Sequence, residues 1–103
     1  MGKIRDKRVR DYIKKVKKKF NATVILFGSH ATGDALKESD YDLCVVSKKF
    51  EGVLLRKRLQ ELYMLMIAEP FNADILAITP KEFERLSASL TIYGTIKKTG
   101  IVC

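Results

Sequence analysis

Three four-residue apolar runs constrain this chain most: Val24-Ile25-Leu26-Phe27, Leu43-Cys44-Val45-Val46 and Ile75-Leu76-Ala77-Ile78. Each reads as a buried strand, and the segments between them keep helical spacing. Val9, Tyr12, Ile13, Val16 and Phe20 recur at intervals of three and four, which predicts an amphipathic helix over residues 4–19. Strands are expected over 23–28 and 40–47, with a short helix over 29–35 between them. Leu54, Leu55, Leu59, Leu62, Tyr63, Met66 and Ile67 predict a helix over 51–67, with Arg56, Lys57 and Arg58 on its solvent side. Tyr63, Met64 and Met66 are read as core packing. Pro70 closes that helix, and Ala73 to Ile78 forms the third strand. Thr79-Pro80-Lys81-Glu82 is a helix start with proline at the first position. Ser87 to Lys98 reads as one more helix, ended by Gly100. The order αβαβαβα predicts an α/β fold, a small β-sheet backed by helices. Spacing leaves the strand directions open.

Two of the strands meet residues suited to phosphate and metal chemistry. The first run delivers the chain to Gly28-Ser29. If a helix opens there, its free N–H groups and the positive end of its dipole attract anions. Gly28 permits close backbone approach to a phosphate, and Ser29 adds a hydroxyl donor. Asp40 and Asp42 stand two residues apart at the head of the second run, so strand alternation projects both carboxylates from one face. Two such charges about 4 Å apart repel by roughly 4 kcal/mol at an effective dielectric near 20. A bound hard cation such as Mg²⁺ turns that repulsion into attraction. Asp is depleted in strands, yet Asp74 heads the third run as well. Gly28 and Gly33 have the spacing of a P-loop, but Asp34 and Ala35 follow where Lys and Ser/Thr are required, which excludes it. His30 is read as a bystander at the site's rim and Tyr41 as packing. Asp34 and Glu38 are read as solvated loop residues.

Gly28-Ser29-His30-Ala31-Thr32-Gly33 followed by Ser39-Asp40-Tyr41-Asp42-Leu43 resembles the nucleotidyltransferase superfamily of DNA polymerase beta. Within it the sequence is most similar to the minimal nucleotidyltransferases, whose pattern is Gly-Ser-x-Ala-Arg-Gly and then Ser-Asp-x-Asp-Leu. Gly28, Ser29, Ala31, Gly33, Ser39, Asp40, Asp42 and Leu43 match, while Thr32 stands where arginine is usual. The resemblance implies a mixed sheet of the polymerase beta palm type. It implies Asp40, Asp42 and Asp74 as catalytic carboxylates holding two Mg²⁺ ions, with Mn²⁺ able to substitute. Gly28, Ser29 and Ser39 are then nucleotide-binding. The implied activity is transfer of a nucleoside monophosphate, AMP from ATP in the first instance, to a hydroxyl. The minimal family is often paired with helical HEPN ribonuclease toxins, so the implied acceptor is a toxin tyrosine and the implied role that of an antitoxin. The alternative is a catalytically weak binding module that neutralises its partner by contact. A nucleic-acid binder working through the basic N-terminus ranks last, since it has neither interleaved aromatics nor a reader motif.

At 103 residues the chain is expected to be one domain, 1–103, with residues 1–20 as a basic helix packed on the core. No apolar stretch approaches the roughly 18 residues of a membrane span, and the charged N-terminus lacks a signal core. Cys44 and Cys103 have no zinc-type spacing, so reduced thiols in a cytoplasm are expected. Residues 1–20 hold ten Lys/Arg and two acids, whereas 21–103 hold ten of each, so the net charge of +8 lies on the first segment. Such a helix attracts polyanions or an acidic partner, or is a solvated face.

Overall fold

The computed structural model describes residues 4–33, 40–89 and 92–103. Helix α1 (Lys7–Phe20) leads to strand β1 (Thr23–Phe27), the short helix α2 (Ser29–Thr32) and strand β2 (Tyr41–Val46). A 3₁₀ turn (Lys48–Phe50), helix α3 (Leu55–Met64) and strand β3 (Ala73–Ile78) follow. Helices α4 (Pro80–Ser87) and α5 (Ile92–Thr99) then lead to a fourth strand, β4 (Ile101–Val102). The sheet order is β3-β2-β1-β4, with β2 parallel to β3 and β1 antiparallel to both of its neighbours. It is a small mixed sheet backed by helices. Ser39, Asp34 and Glu38 lie outside the described residues.

Strand alternation sorts the core into two layers. On one face, Val24, Leu26, Leu43, Val45, Ile75 and Ala77 pack against Val9, Tyr12, Ile13, Val16 and Phe20 of α1 and against Leu62 of α3. On the other, Ile25, Phe27, Cys44, Val46 and Ile78 pack against Ile96 of α5. A sheet covered on both faces needs uninterrupted apolar strands, which is why the three runs read as they do. The α1 stripe is buried, as its spacing predicts. Asp6 caps its N-terminus by accepting from the Arg8 N–H at 2.9 Å, and Asn21 closes it in a left-handed conformation.

Four local expectations change. The helix expected over 51–67 is confined to Leu55–Met64, preceded by the 3₁₀ turn and by Gly52 at positive φ. Its apolar stripe is only partly covered: Leu62 and Met66 are buried, but Leu54, Met64 and Ile67 are exposed. Arg58, expected in solvent, is buried. Its Nε donates to Val53 O at 2.8 Å, and its Nη1 donates to Ala77 O at 3.1 Å and to Glu82 Oε1 at 2.9 Å. The same Glu82 oxygen accepts from the Thr79 N–H at 2.8 Å and completes a capping box with Pro80 at the helix start. One ion pair thereby locks α3, β3 and α4 together. The helix expected from Ser87 to Lys98 is instead the end of α4 and the separate α5. The Ser87 and Ser89 hydroxyls donate to Glu84 O and Leu86 O, an alternative to continued helix. Finally, Ile101 and Val102 form β4 by pairing with Leu26 and Ile25.

Candidate active site

Three strand ends converge on one end of the sheet. Because β1 runs antiparallel to β2 while β3 runs parallel, the C-terminus of β1 meets the N-termini of β2 and β3. Asp42 sits opposite Phe27 on one side and opposite Asp74 on the other. Both carboxylates therefore share the face that carries Phe27, away from α1 and α3. Asp40 precedes β2 and is exposed, as is Asp74, whereas Asp42 is half-buried.

Gly28 is fitted to this corner. Its φ of 73° and ψ of −154° belong to a region that is essentially glycine-only. A Cβ there would collide with Asp42 Oδ2. Its carbonyl accepts from the Ala31 and Thr32 N–H groups at 3.0 and 3.2 Å and so starts α2. Ser29 is the first residue of α2 and half-buried. Thr32 turns its hydroxyl back on the same helix, 3.4 Å from the carbonyls of Gly28 and Ser29.

The electrostatics centre on Asp42. Burial pushes its carboxyl above the ordinary value, the charges of Asp74 and Asp40 push it further, and His30 opposes them. An ionised Asp42 is thus disfavoured by its own surroundings, the condition in which a divalent cation bound by oxygen ligands gains most. Among the described residues, however, no three His, Cys, Asp or Glu side chains form a ready cation cluster. The fold brings Asp42 and Asp74 into register and leaves Asp40 outside the strand.

His30 is half-buried beside this corner. Its ring stacks on Tyr41 with centroids 4.0 Å apart and an interplanar angle of 12°. Tyr41 points to the α1 layer, where it meets Phe71 edge-on at 6.0 Å, so its reading as packing agrees with the structure. Sequence reasoning missed the His30–Tyr41 stack, since the two residues are joined only by β1–β2 pairing. A hollow of about 650 Å³ lies elsewhere, at the α4–α5 corner, lined by Ser87, Ser89, Ile92 and Lys98 among others. It contains none of the carboxylates. Cys44 is inert packing, its thiol pushed up to about 12 by burial.

The sequence pattern of the nucleotidyltransferase domain family matches residues 9–100, from inside α1 through all three long strands to the end of α5. The chain belongs to the nucleotidyltransferase domain family. Its activity class is transfer of a nucleotidyl group, and the converging strand ends lie within the matched span. A structure from Sulfolobus solfataricus, provisionally named a nucleotidyltransferase, superposes with a TM-score of 0.68 at 22% identity, over 93% of this chain and 76% of that one. At that identity the likeness concerns the fold. A second structure with the same provisional name gives a TM-score of 0.53 at 27% identity, over 78% of this chain and 88% of the other. BolA1 from Arabidopsis thaliana gives 0.57 at 28% identity, over 75% of this chain and 96% of its own. Its name makes no reference to nucleotidyl transfer, so the fold alone does not specify the chemistry. No curated protein matches the chain. No helix among the described residues is long and apolar enough to cross a membrane.

Proposed function

We propose that this nucleotidyltransferase transfers AMP from ATP to a protein hydroxyl, a tyrosine of a HEPN-type toxin, and so acts as an antitoxin of the minimal nucleotidyltransferase kind. The observation that carries the reading is the in-register pair Asp42 and Asp74 beside the glycine-only turn at Gly28. Asp40, Asp42 and Asp74 are proposed as the residues that would hold Mg²⁺ or Mn²⁺. The bound ions would supply charge neutralisation at the triphosphate and at the attacking oxygen. Gly28 and Ser29, with Ser39, are proposed to hold the β- and γ-phosphates through backbone N–H groups and the Ser29 hydroxyl.

In the reaction the acceptor oxygen bonds to the α-phosphorus and the bond to the β-phosphate oxygen breaks. Pyrophosphate leaves with that electron pair, and the acceptor proton passes to the Asp74 carboxylate. The chain's contribution is to position the triphosphate and orient the acceptor for in-line displacement. The whole of 1–103 is proposed to act as one domain in the cytoplasm.

Thr32 in place of arginine favours one other reading, a catalytically weak chain that neutralises its partner by contact. The two part on one experiment. The chain, ATP labelled in its α-phosphate, Mg²⁺ and the product of an adjoining HEPN-type reading frame are incubated together. Covalent label on the partner, lost when its acceptor tyrosine is replaced by phenylalanine, supports transfer. Neutralisation without label supports contact alone.

A further inference from the structure

Asp42 and Asp74 lie on the face of the sheet that carries Phe27, whereas the lysine-rich helix α1 packs on the other. We propose that the outer face of α1 docks on the phosphate backbone of duplex DNA without reading its sequence. The cations of this helix divide into two sets. Lys7 pairs with Asp11 at 4.0 Å, and Arg8 is held by Asp6 and the Pro70 carbonyl. Arg10 donates to the carbonyls of Ile4 and Arg5, and Lys17 to that of Cys103. Lys14, Lys15 and Lys18 are exposed, and none of the ion pairs among the described residues involves them. Lys49 Nζ donates to Lys19 O at 3.1 Å, which joins the 3₁₀ turn with its exposed Lys48 and Lys49 to the same end of the helix. The nearby acids in sequence are Asp11, already paired with Lys7, and Glu51.

The chemistry of this face selects its occupant. Every large apolar residue of α1 is turned inward, so the face offers no aromatic or aliphatic anchor. Protein interfaces are depleted in lysine and draw their energy from such anchors, which disfavours a protein partner here. Single-stranded nucleic acid is bound by exposed aromatics, and α1 has none, since Tyr12 and Phe20 are buried. The two arginines within α1, Arg8 and Arg10, are engaged with carbonyls and Asp6. What remains is a row of point charges at helical spacing, about 6 Å between Lys14 and Lys18. B-form DNA carries one phosphate per about 3.4 Å of each strand, and its major groove of about 12 Å admits a helix. The deep, narrow major groove of A-form RNA does not. This inference is independent of the transferase reading.

The test measures fluorescence anisotropy of a labelled mixed-sequence DNA duplex with the full chain from about 50 to about 200 mM salt. About five neutralised phosphates give a slope of roughly −4.5 in log K against log salt, a several-hundred-fold loss over that range. The triple variant Lys14→Gln, Lys15→Gln, Lys18→Gln should bind at least about tenfold more weakly and flatten the slope by about 3. Arg56→Gln, Lys57→Gln, Lys81→Gln removes the same charge from exposed positions elsewhere and should stay within about twofold of the parent. Circular dichroism confirms the fold of both triples. Equal losses in the two triples, salt-independent binding, or no binding at low salt overturns the proposal. So does tighter binding to the matching RNA duplex, or displacement by polyglutamate as effective, charge for charge, as by DNA.

Discussion

Replacing Asp42 by Asn is expected to stabilise the protein without divalent ions and to abolish its response to them. Asp42 and Asp74 occupy paired positions on adjacent parallel strands. Neighbouring strands lie about 4.8 Å apart. Two full charges at about 5 Å and an effective dielectric near 20 repel by roughly 3 kcal/mol. Asp74 is exposed and Asp42 only half-buried, so water screens most of this, leaving at most about 1 kcal/mol. Asn keeps the volume of Asp and so the contact with Gly28, while removing the charge that burial and Asp74 disfavour. In a domain of this size about 1 kcal/mol corresponds to roughly 4–8 °C in Tm, so Asp42→Asn should melt about 2–6 °C higher in a chelator. Addition of Mg²⁺ or Mn²⁺ with ATP should raise the wild-type Tm by mass action, up to about 2.7 kcal/mol at a hundredfold excess over Kd. The variant should barely respond. Differential scanning fluorimetry reads both. A lower Tm for the variant in chelator, or a wild-type Tm indifferent to both ions, refutes the electrostatic account of this corner.

Gly28→Ala should cost about 1–3 kcal/mol in urea denaturation, because the new Cβ meets Asp42 Oδ2 in a backbone region closed to other residues; unchanged stability would mean the turn is not under that constraint. Ser29→Ala should leave the fold intact and weaken ATP binding by tenfold or more, about 1.5–3 kcal/mol for a hydrogen bond to a charged group, by calorimetry; unchanged affinity removes the hydroxyl from the site. Arg58→Ala should destabilise by about 3 kcal/mol in urea, since it strands the buried carbonyl of Ala77 and the Glu82 carboxylate; a loss below about 1 kcal/mol would place this arginine with ordinary surface residues. The Thr79 N–H and then Arg58 hold Glu82 below its ordinary value of 4.5. Its contribution is therefore complete above that value and lost as pH falls through the lowered one, so Glu82→Gln should flatten the decline of Tm below pH 4.5.

Legibility followed how local each signal was. The three strands and the α1 stripe were readable because a covered strand and an amphipathic helix each leave a periodic record in adjacent residues. The start of α4 was readable because Thr79, Pro80 and Glu82 form a complete cap within four positions. Arg58 reads as a solvent residue in sequence because its partners, Val53, Ala77 and Glu82, meet only after α3, β3 and α4 have packed. Strand β4 has two residues, too few for any period, and exists only by pairing with β1. At the site, Gly28 and the aspartates stood out by residue type. Which carboxylates would pair did not, since the Asp42–Asp74 register is set by the parallel β2–β3 alignment across a connection of 26 residues, 47–72.

The most direct test of nucleotidyl transfer at this corner is to follow the label from two forms of ATP, one marked at the α-phosphate and one at the γ-phosphate. The protein, Mg²⁺ and the proposed HEPN-type partner are present in both. The account predicts that α-label becomes covalently bound to protein, that γ-label appears only in pyrophosphate, and that Asp42→Asn and Asp74→Asn each stop the transfer while remaining folded. Covalent γ-label, or full transfer by either folded variant, would contradict it.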